Sequence, residues 1–478
     1  MHNSSFFNKS KIVATIGPAS NSKEVLKELI AAGANVFRLN FSHGTHEDHA
    51  KVINLIRELN DELGTNICML QDLQGPKIRT TLIENGEVTI SAGDKLSITT
   101  QDITGTKELI GTTYTSLPKD VKADDTILID DGKIELKVTR VKDDVVETTV
   151  IYGGPLKSRK GINLPNTKVS APSLTAKDEK DLQFGLDNDL EWVALSFVRK
   201  ADDIYSLREK IAASGRDTKI VAKIEKPEAL ENIDEIIEAT DGLMVARGDL
   251  GVEIPMQEVP IAQKLLVKKC NERGKPVIIA TQMMESMIEN PRPTRAETND
   301  CANAVMDGAD ALMLSAESAS GKYPVESVQS MAMAIRSVEQ AADSIYNKFH
   351  KVAADSKSFV HDMLVRSACR LSNSVDAKAI IGMTQSGYTG FRLAMNRPKA
   401  NVFIFTRNKK LLRQMNLVWG IRGFYYDKEE AIDDTFLHTE EILVKSGHLS
   451  KGDVIINTGA MPLHWKSKTN MLKINVVE

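Results

Sequence analysis

Residues 11–41, KIVATIGPASNSKEVLKELIAAGANVFRLNF, hold one complete strand–helix–strand unit, and the rest of the chain is read outward from it. Lys11–Gly17 is rich in β-branched residues and halts at Gly-Pro. Ser22–Ala32 then sets Val25, Leu26, Leu29 and Ile30 at helical spacing, with Gly33 as the stop. Asn35–Phe41 is a second short apolar run. Beyond it, Glu47–Leu63 predicts a second helix and Asn66–Leu73 a third strand. A chain that opens β-α-β-α-β builds a parallel sheet with right-handed crossovers.

The rhythm breaks at Gly75-Pro76. From there to about Ala171 the runs are short, alternating and rich in Thr, Val and Ile, with turns such as Asp131-Gly132 between them. That pattern predicts a small all-β module inserted into the βα series. The series resumes at Thr175, an N-cap paired with Asp178, with helix to about Asn188. Five more strands follow at Trp192–Phe197, Lys219–Ile224, Gly242–Arg247, Pro276–Thr281 and Ala311–Ser315. Three strands before the insert and five after it make eight, the number that closes a (β/α)8 barrel. An open doubly wound sheet is the alternative, but no G-x-G-x-x-G follows the first strand. After a helix at about Val325–Ala342 and a polar stretch at 350–358, the remainder alternates as an open α/β domain of about five strands. The expected chain is therefore α/β, with a TIM barrel over 1–74 and 171–343. A β-barrel lid domain occupies 75–170 and a C-terminal α/β domain 344–478.

Composition agrees with this size. At about 150 residues per domain, 478 residues make room for three. Hydrophobic residues at 42% and charged residues at 26% exclude wholesale disorder and coiled-coil arrays. A net charge of −4 excludes a general nucleic-acid or membrane-surface binder. The cysteines at 68, 270, 301 and 369 form no C-x-x-C pair, so neither a disulfide framework nor a zinc site is expected. No run approaches a bilayer span and the N-terminus lacks a signal-peptide core, so a soluble, cytoplasmic protein is expected.

In a (β/α)8 barrel the chemistry sits where strands end. Here the strand ends are polar: Arg38 to His43 after the second strand, and Asp72 after the third, followed by Lys77 and Arg79. Ser196 to Arg199 ends the fourth, Lys223 to Glu225 the fifth and Arg247 to Asp249 the sixth. Thr281-Gln282 ends the seventh and Ser315 to Glu317 the eighth. Any one cluster reads equally well as a solvated strand end or a helix cap; seven on one rim read as a site. Glu225 and Asp249 end neighbouring strands, and two carboxylates completed by water and substrate oxygens suit Mg²⁺. Lys223 shares the inward side with Glu225 by the period of two, as a charge clamp on phosphoryl oxygens or as a structural ion pair. Gly248 bares the backbone to an anion. Arg38, Arg79 and Lys160 add positive charge, Lys160 from the insert, which makes the insert a lid. No G-x-x-x-x-G-K-[ST] and no H-R-D with D-F-G occurs, which excludes a P-loop kinase and a protein kinase.

Seven stretches carry a resemblance: ATIGPAS (14–20), RLNFSHG (38–44), KGINLP (160–165), AKIEKPE (222–228), MVARGDLGVEIP (244–255), ATQMMESMIENPRPTRAE (280–297) and DGADALMLSAES (307–318). The chain resembles pyruvate kinase over essentially its whole length. The resemblance implies phosphoryl transfer from phosphoenolpyruvate to ADP, closing glycolysis, with Mg²⁺ or Mn²⁺ held by Glu225 and Asp249. It implies Lys223, Arg38 and Thr281 as catalytic residues, with Gly248 and Asp249 holding the substrate carboxylate. Ser315 and Glu317 lie near the enolate protonation. Asn40, Phe41, Ser42, His43, Arg79 and Lys160 are the implied nucleotide contacts. It further implies a homotetramer and an allosteric phosphate site, for which Thr384, Ser386, Gly387 and Thr389 have the hydroxyl-and-glycine pattern of a phosphate cradle. The loop Thr458-Gly459-Ala460-Met461-Pro462 lacks the arginine or other sugar-phosphate contacts of effector-responsive relatives, so a monophosphate effector or none is expected. Many relatives bind K⁺ through groups matching Asn40, Ser42, Asp72 and the carbonyl of Leu73, with a glutamate nearby. Here Lys77 stands in that glutamate's place, so its ammonium is expected to replace K⁺.

Overall fold

The structure is a computed structural model that describes residues 7–165, 167–352, 354, 356–428, 431–461 and 469–478. Eight parallel strands close into a barrel: β1 (Lys11–Ile16), β2 (Val36–Asn40), β3 (Cys68–Asp72), β4 (Trp192–Leu195), β5 (Lys219–Ile224), β6 (Gly242–Ala246), β7 (Val277–Ala280) and β8 (Ala311–Leu314). Each pairs with its sequence neighbours and β8 returns to β1, so the open-sheet alternative is set aside. The helix boundaries obey local chemistry. Ser22 accepts from the Val25 amide at the start of Lys23–Ala32, and Gly33 closes that helix with a left-handed φ of 118°. Thr175 and Asp178 form the expected capping box on Ala176–Asp187.

Strand periodicity sorts the core. Residues facing the helices, among them Ile12, Leu39, Met69, Val193, Ile220, Val245 and Ile279, join the outer cluster. Val13, Val36, Leu70, Ala194, Val221, Met244 and Ile278 fill the barrel itself. One further step of two along the same inward rows reaches Thr15, Arg38, Asp72, Ser196 and Lys223. The barrel is thus apolar inside and polar at the C-terminal rim. Its other end is stopped by Leu417 from the C-terminal domain, where Trp192 Nε1 donates to the Gln414 carbonyl at 3.0 Å.

The insert builds a six-stranded sheet and a separate two-stranded pair around its own apolar cluster. Residues 78–81 link the two edges of the six-stranded sheet: Arg79 bridges to Gly161 beside the edge strand Ile162–Asn163, and Thr80 bridges to Thr112 beside the edge strand Leu109–Gly111. The C-terminal domain is a five-stranded sheet, with Ala379–Met383 at its centre and Met471–Val476 as its antiparallel edge. No helix among the described residues is long and apolar enough to cross a membrane.

Candidate active site at the barrel rim

The inward rows of β2, β3 and β5 bring three predicted residues into one network. Arg38 Nε donates to Asp72 Oδ2 at 2.7 Å, and Lys223 Nζ donates to Asp72 Oδ1 at 3.1 Å. Lys223 also lies 3.0 Å from Glu225 Oε1 and donates to Ser196 Oγ at 2.7 Å. Burial alone would raise the Asp72 carboxyl, but the Lys223 and Arg38 charges outweigh it and hold the carboxyl below its usual range. Burial likewise opposes the Lys223 charge, and the two carboxylates overcome it and push its pKa up. Lys223 therefore stays cationic, and the contacts it makes are the ion pairs with Asp72 and Glu225.

Glu225 behaves differently. Burial lifts its carboxyl above the usual range, opposed by Lys223, and the like charge of Asp249 raises it further. Its second oxygen accepts from the Phe197 amide at 2.7 Å, a residue held at a left-handed φ of 55°. Two carboxylates that repel one another beside a rim fit a divalent cation completed by water and substrate oxygens. Among the described residues no cluster of three or more His, Cys, Asp or Glu competes with them.

Asp249 belongs to the short helix Arg247–Glu253, which begins directly where β6 ends. Its neighbour Gly248 gives its amide to Thr281 Oγ1 at 2.7 Å, and that hydroxyl donates to the Ala280 carbonyl at 2.6 Å. Thr281 and Gln282 both carry positive φ, 69° and 53°, which costs a β-branched residue energy and marks a held geometry. Arg247 supplies the hold: it donates to the carbonyls of Ala280 (3.2 Å) and Thr281 (2.7 Å) and pairs with Asp300. Glu317 accepts from the Ser315 amide at 2.7 Å and the Met284 amide at 3.1 Å, and burial raises its carboxyl.

The remaining predicted residues divide. Asn40 Oδ1 accepts from the Ser42 amide at 3.1 Å, and the His43 carbonyl is 3.0 Å from His49 Nε2, so the loop after β2 is ordered at the rim. Phe41 is buried in that loop and stacks on His49 at 4.2 Å. Arg79 and Lys160 stay on the lid side: Arg79 donates to the Arg159 carbonyl, and Lys160 pairs with Asp130 at 2.8 Å. Lys77 does not sit on Asp72, whose oxygens are taken by Arg38 and Lys223; it lies 3.2 Å from Asp249 Oδ1. The Leu73 carbonyl accepts from Ser196 Oγ at 2.7 Å. In the C-terminal domain Thr384 Oγ1 accepts from the Gly387 amide at 3.0 Å beside Ser386, at the start of the helix Tyr388–Met395. Thr389 turns away from that loop and shares a buried 2.6 Å hydrogen bond with Thr469. Met461 is exposed, while Pro462 lies outside the described residues.

Three residues were not singled out by sequence. Thr15, at the end of β1, accepts from Arg38 at 3.0 Å; the strand-end reading began at the second strand, though the same period of two reaches Thr15 from Val13. Ser196 and Arg247 were noticed at strand ends without a role, because their partners are side chains and carbonyls from other strands.

The pyruvate kinase barrel-domain family model matches residues 7–328, and the pyruvate kinase alpha/beta-domain model residues 362–475. A pyruvate kinase of Geobacillus stearothermophilus is 45% identical over 479 aligned residues, covering 98% of this chain and 80% of the relative. One from Sporosarcina psychrophila is 42% identical with the same coverages. A solved pyruvate kinase structure from Cryptosporidium parvum superposes with a TM-score of 0.91 at 35% identity, covering 98% of this chain and 96% of the other.

Proposed function

The chain belongs to the pyruvate kinase family, and from that premise we propose how its rim moves the phosphoryl group of phosphoenolpyruvate to ADP, giving pyruvate and ATP in the last step of glycolysis. The observation that carries the residue roles is the network of Arg38, Asp72, Lys223 and Glu225, which presents two cations and a metal-type carboxylate on one face of the rim.

Glu225 and Asp249 would hold Mg²⁺ or Mn²⁺, which would supply positive charge for the phosphate and enolate oxygens of the substrate. A loose phosphoryl transition state spreads charge over its equatorial oxygens, and Lys223 and Arg38 meet that charge. Asp72 keeps both cations in place between turnovers. The Gly248 and Asp249 backbone, with Thr281, receives the substrate carboxylate. Thr281 follows a strand paired with the one that leads to Ser315 and Glu317, and these residues order the water that delivers a proton to the enolate carbon. Asn40, Phe41, Ser42 and His43 shape the loop that takes the nucleotide phosphates, and Arg79 and Lys160 reach them from the lid. Closing the lid excludes the water that would intercept the phosphoryl group.

The same reading gives a cytoplasmic homotetramer that works without K⁺, the Lys77 ammonium supplying the positive charge in its place. Exposed apolar residues support assembly: Met256, Ile261 and Leu265 on one barrel face, and Ile474 and Val476 on the sheet edge. Thr384, Ser386 and Gly387 take a monophosphate effector or none; strong activation by micromolar fructose 1,6-bisphosphate would contradict this. A coupled assay for pyruvate formed from phosphoenolpyruvate and ADP tests the reaction itself, and no activity with either metal would overturn it.

A further inference from the structure

Lys77 makes a contact that the reaction above does not use. Its ammonium lies 3.2 Å from Asp249 Oδ1, with 29% and 26% of the two side chains exposed. The position of Lys77 along the chain matters as much as the distance. Two residues before it, Gly75 is anchored to the barrel, its amide on Asp178 Oδ1 at 3.0 Å. Gly75 has a φ of 69°, and a Cβ there would come within 2.9 Å of Ser196 and Phe197, so the chain packs closely on the barrel at a position that requires glycine. Just beyond Lys77 the chain is committed to the lid: the Ile78 carbonyl accepts from Ile162 at 2.9 Å, and the Thr80 amide donates to Lys160 at 2.8 Å. Lys77 thus lies at the junction between the barrel anchor and the inserted module.

The helix Arg247–Glu253 is held from the lid at both ends. Lys77 grips Asp249, and Asn163, on the returning lid strand, donates Nδ2 to Glu253 Oε1 at 2.9 Å. Lys226 also binds that Glu253 oxygen, at 2.7 Å, so the second tie is buried and electrically balanced. The first tie is not balanced in the same way, because Asp249 has a second claimant.

We propose that Lys77 and the divalent cation compete for the Asp249 carboxylate, so that metal loading releases the first lid strand while the Asn163–Glu253 bond retains the second. This rests on the reading that Glu225 and Asp249 hold the metal. An ammonium at hydrogen-bond distance from a metal-ligating oxygen repels the incoming cation. The linkage is reciprocal: whatever Lys77 takes from metal affinity, the metal takes from the lid's grip on the barrel.

Direct Mn²⁺ titration of the full-length protein, reading free Mn²⁺ by electron paramagnetic resonance without substrates, tests the competition. Lys77→Met should bind Mn²⁺ tighter, on the order of fivefold, and Lys77→Arg should stay near wild type. Asp249→Asn should lose most of the affinity. Unchanged or weaker binding by Lys77→Met, with Asp249→Asn still impaired, overturns the competition. Unchanged binding by Asp249→Asn overturns instead the assignment of the metal site. For the lid, spin labels at Lys142→Cys and Glu209→Cys report its distance from the barrel, the four native cysteines being buried. Mg²⁺ should shift that distance in wild type, and Lys77→Met should show the shifted value without Mg²⁺. A wild-type distance indifferent to Mg²⁺ overturns the release of the first lid strand.

Discussion

Ser196 Oγ lies 2.7 Å from Lys223 Nζ, at the one corner of the ammonium that no carboxylate occupies. The same hydroxyl donates to the Leu73 carbonyl at 2.7 Å, so the serine ties the clamp on β5 to the backbone after β3. Ser196→Ala removes a hydrogen bond to a charged group, worth about 1.5–3 kcal/mol. Turnover should fall about tenfold, with KM for ADP unchanged, and Ser196→Thr should restore most of it. An alanine variant with wild-type kcat would remove Ser196 from the positioning network.

Lys223→Met should cut phosphoryl transfer by on the order of a thousandfold, the scale for losing one preorganised electrostatic group. Exchange of pyruvate methyl protons with solvent should suffer less, because Thr281 and Glu317 lie on other strands. The buried pairing with Asp72 and Glu225 adds a lowered thermal transition, since removing one member of a buried ion cluster strands the others. Initial rates, isotope exchange and thermal unfolding of the same preparation check all three expectations.

Initial rates in K⁺- and NH₄⁺-free buffer should be nearly equal with and without KCl at constant ionic strength. Lys77→Glu should lower activity without K⁺ and create a K⁺ response. Stimulation of the wild type by about tenfold or more would defeat the idea, because added K⁺ beside a fixed ammonium meets repulsion.

Stability should rise with pH through the interval between neutral and pH 9, and Lys11 is one source. Its ammonium is buried beneath the barrel and donates to the Ile421 carbonyl at 2.7 Å. Burial lowers its pKa from 10.5 to about 7, with Arg422 and Lys9 adding to the shift and Glu339 and Asp310 opposing it. The folded pKa is the lower one, so between these values the unfolded chain binds more protons. Unfolding free energy then climbs by up to about 1.4 kcal/mol per pH unit. Lys11→Met should flatten this slope in denaturant titrations at pH 7 to 9; an identical slope would assign it to other groups.

Asn457 is fully buried in the C-terminal sheet, opposite Ile381 on the face that carries Phe403, Phe405 and Leu443. Among the described residues neither of its amide atoms has a hydrogen-bond partner. A buried unsatisfied amide costs about 1–3 kcal/mol, so Asn457→Leu should raise the thermal transition of this domain while leaving kcat unchanged. Scanning calorimetry of the two proteins decides it.

The sequence by itself determined the barrel strands and their number, since each is a short apolar run that a local window displays, and the pleat's period of two then sorts the inward rows. It therefore placed Arg38, Asp72, Lys223, Glu225 and Asp249 on one rim before any contact was known. What it could not determine is which partner each side chain takes. Lys77 reaches Asp249, 172 positions away, and Asn163 reaches Glu253 across 90. Lys160 lies on Asp130 within the lid rather than over the barrel, and Ser196 is locked between two other strands. Those choices follow from barrel closure and from where the lid rests. Both bring together residues whose separation along the chain carries no periodic signal, so only the tertiary structure decided them.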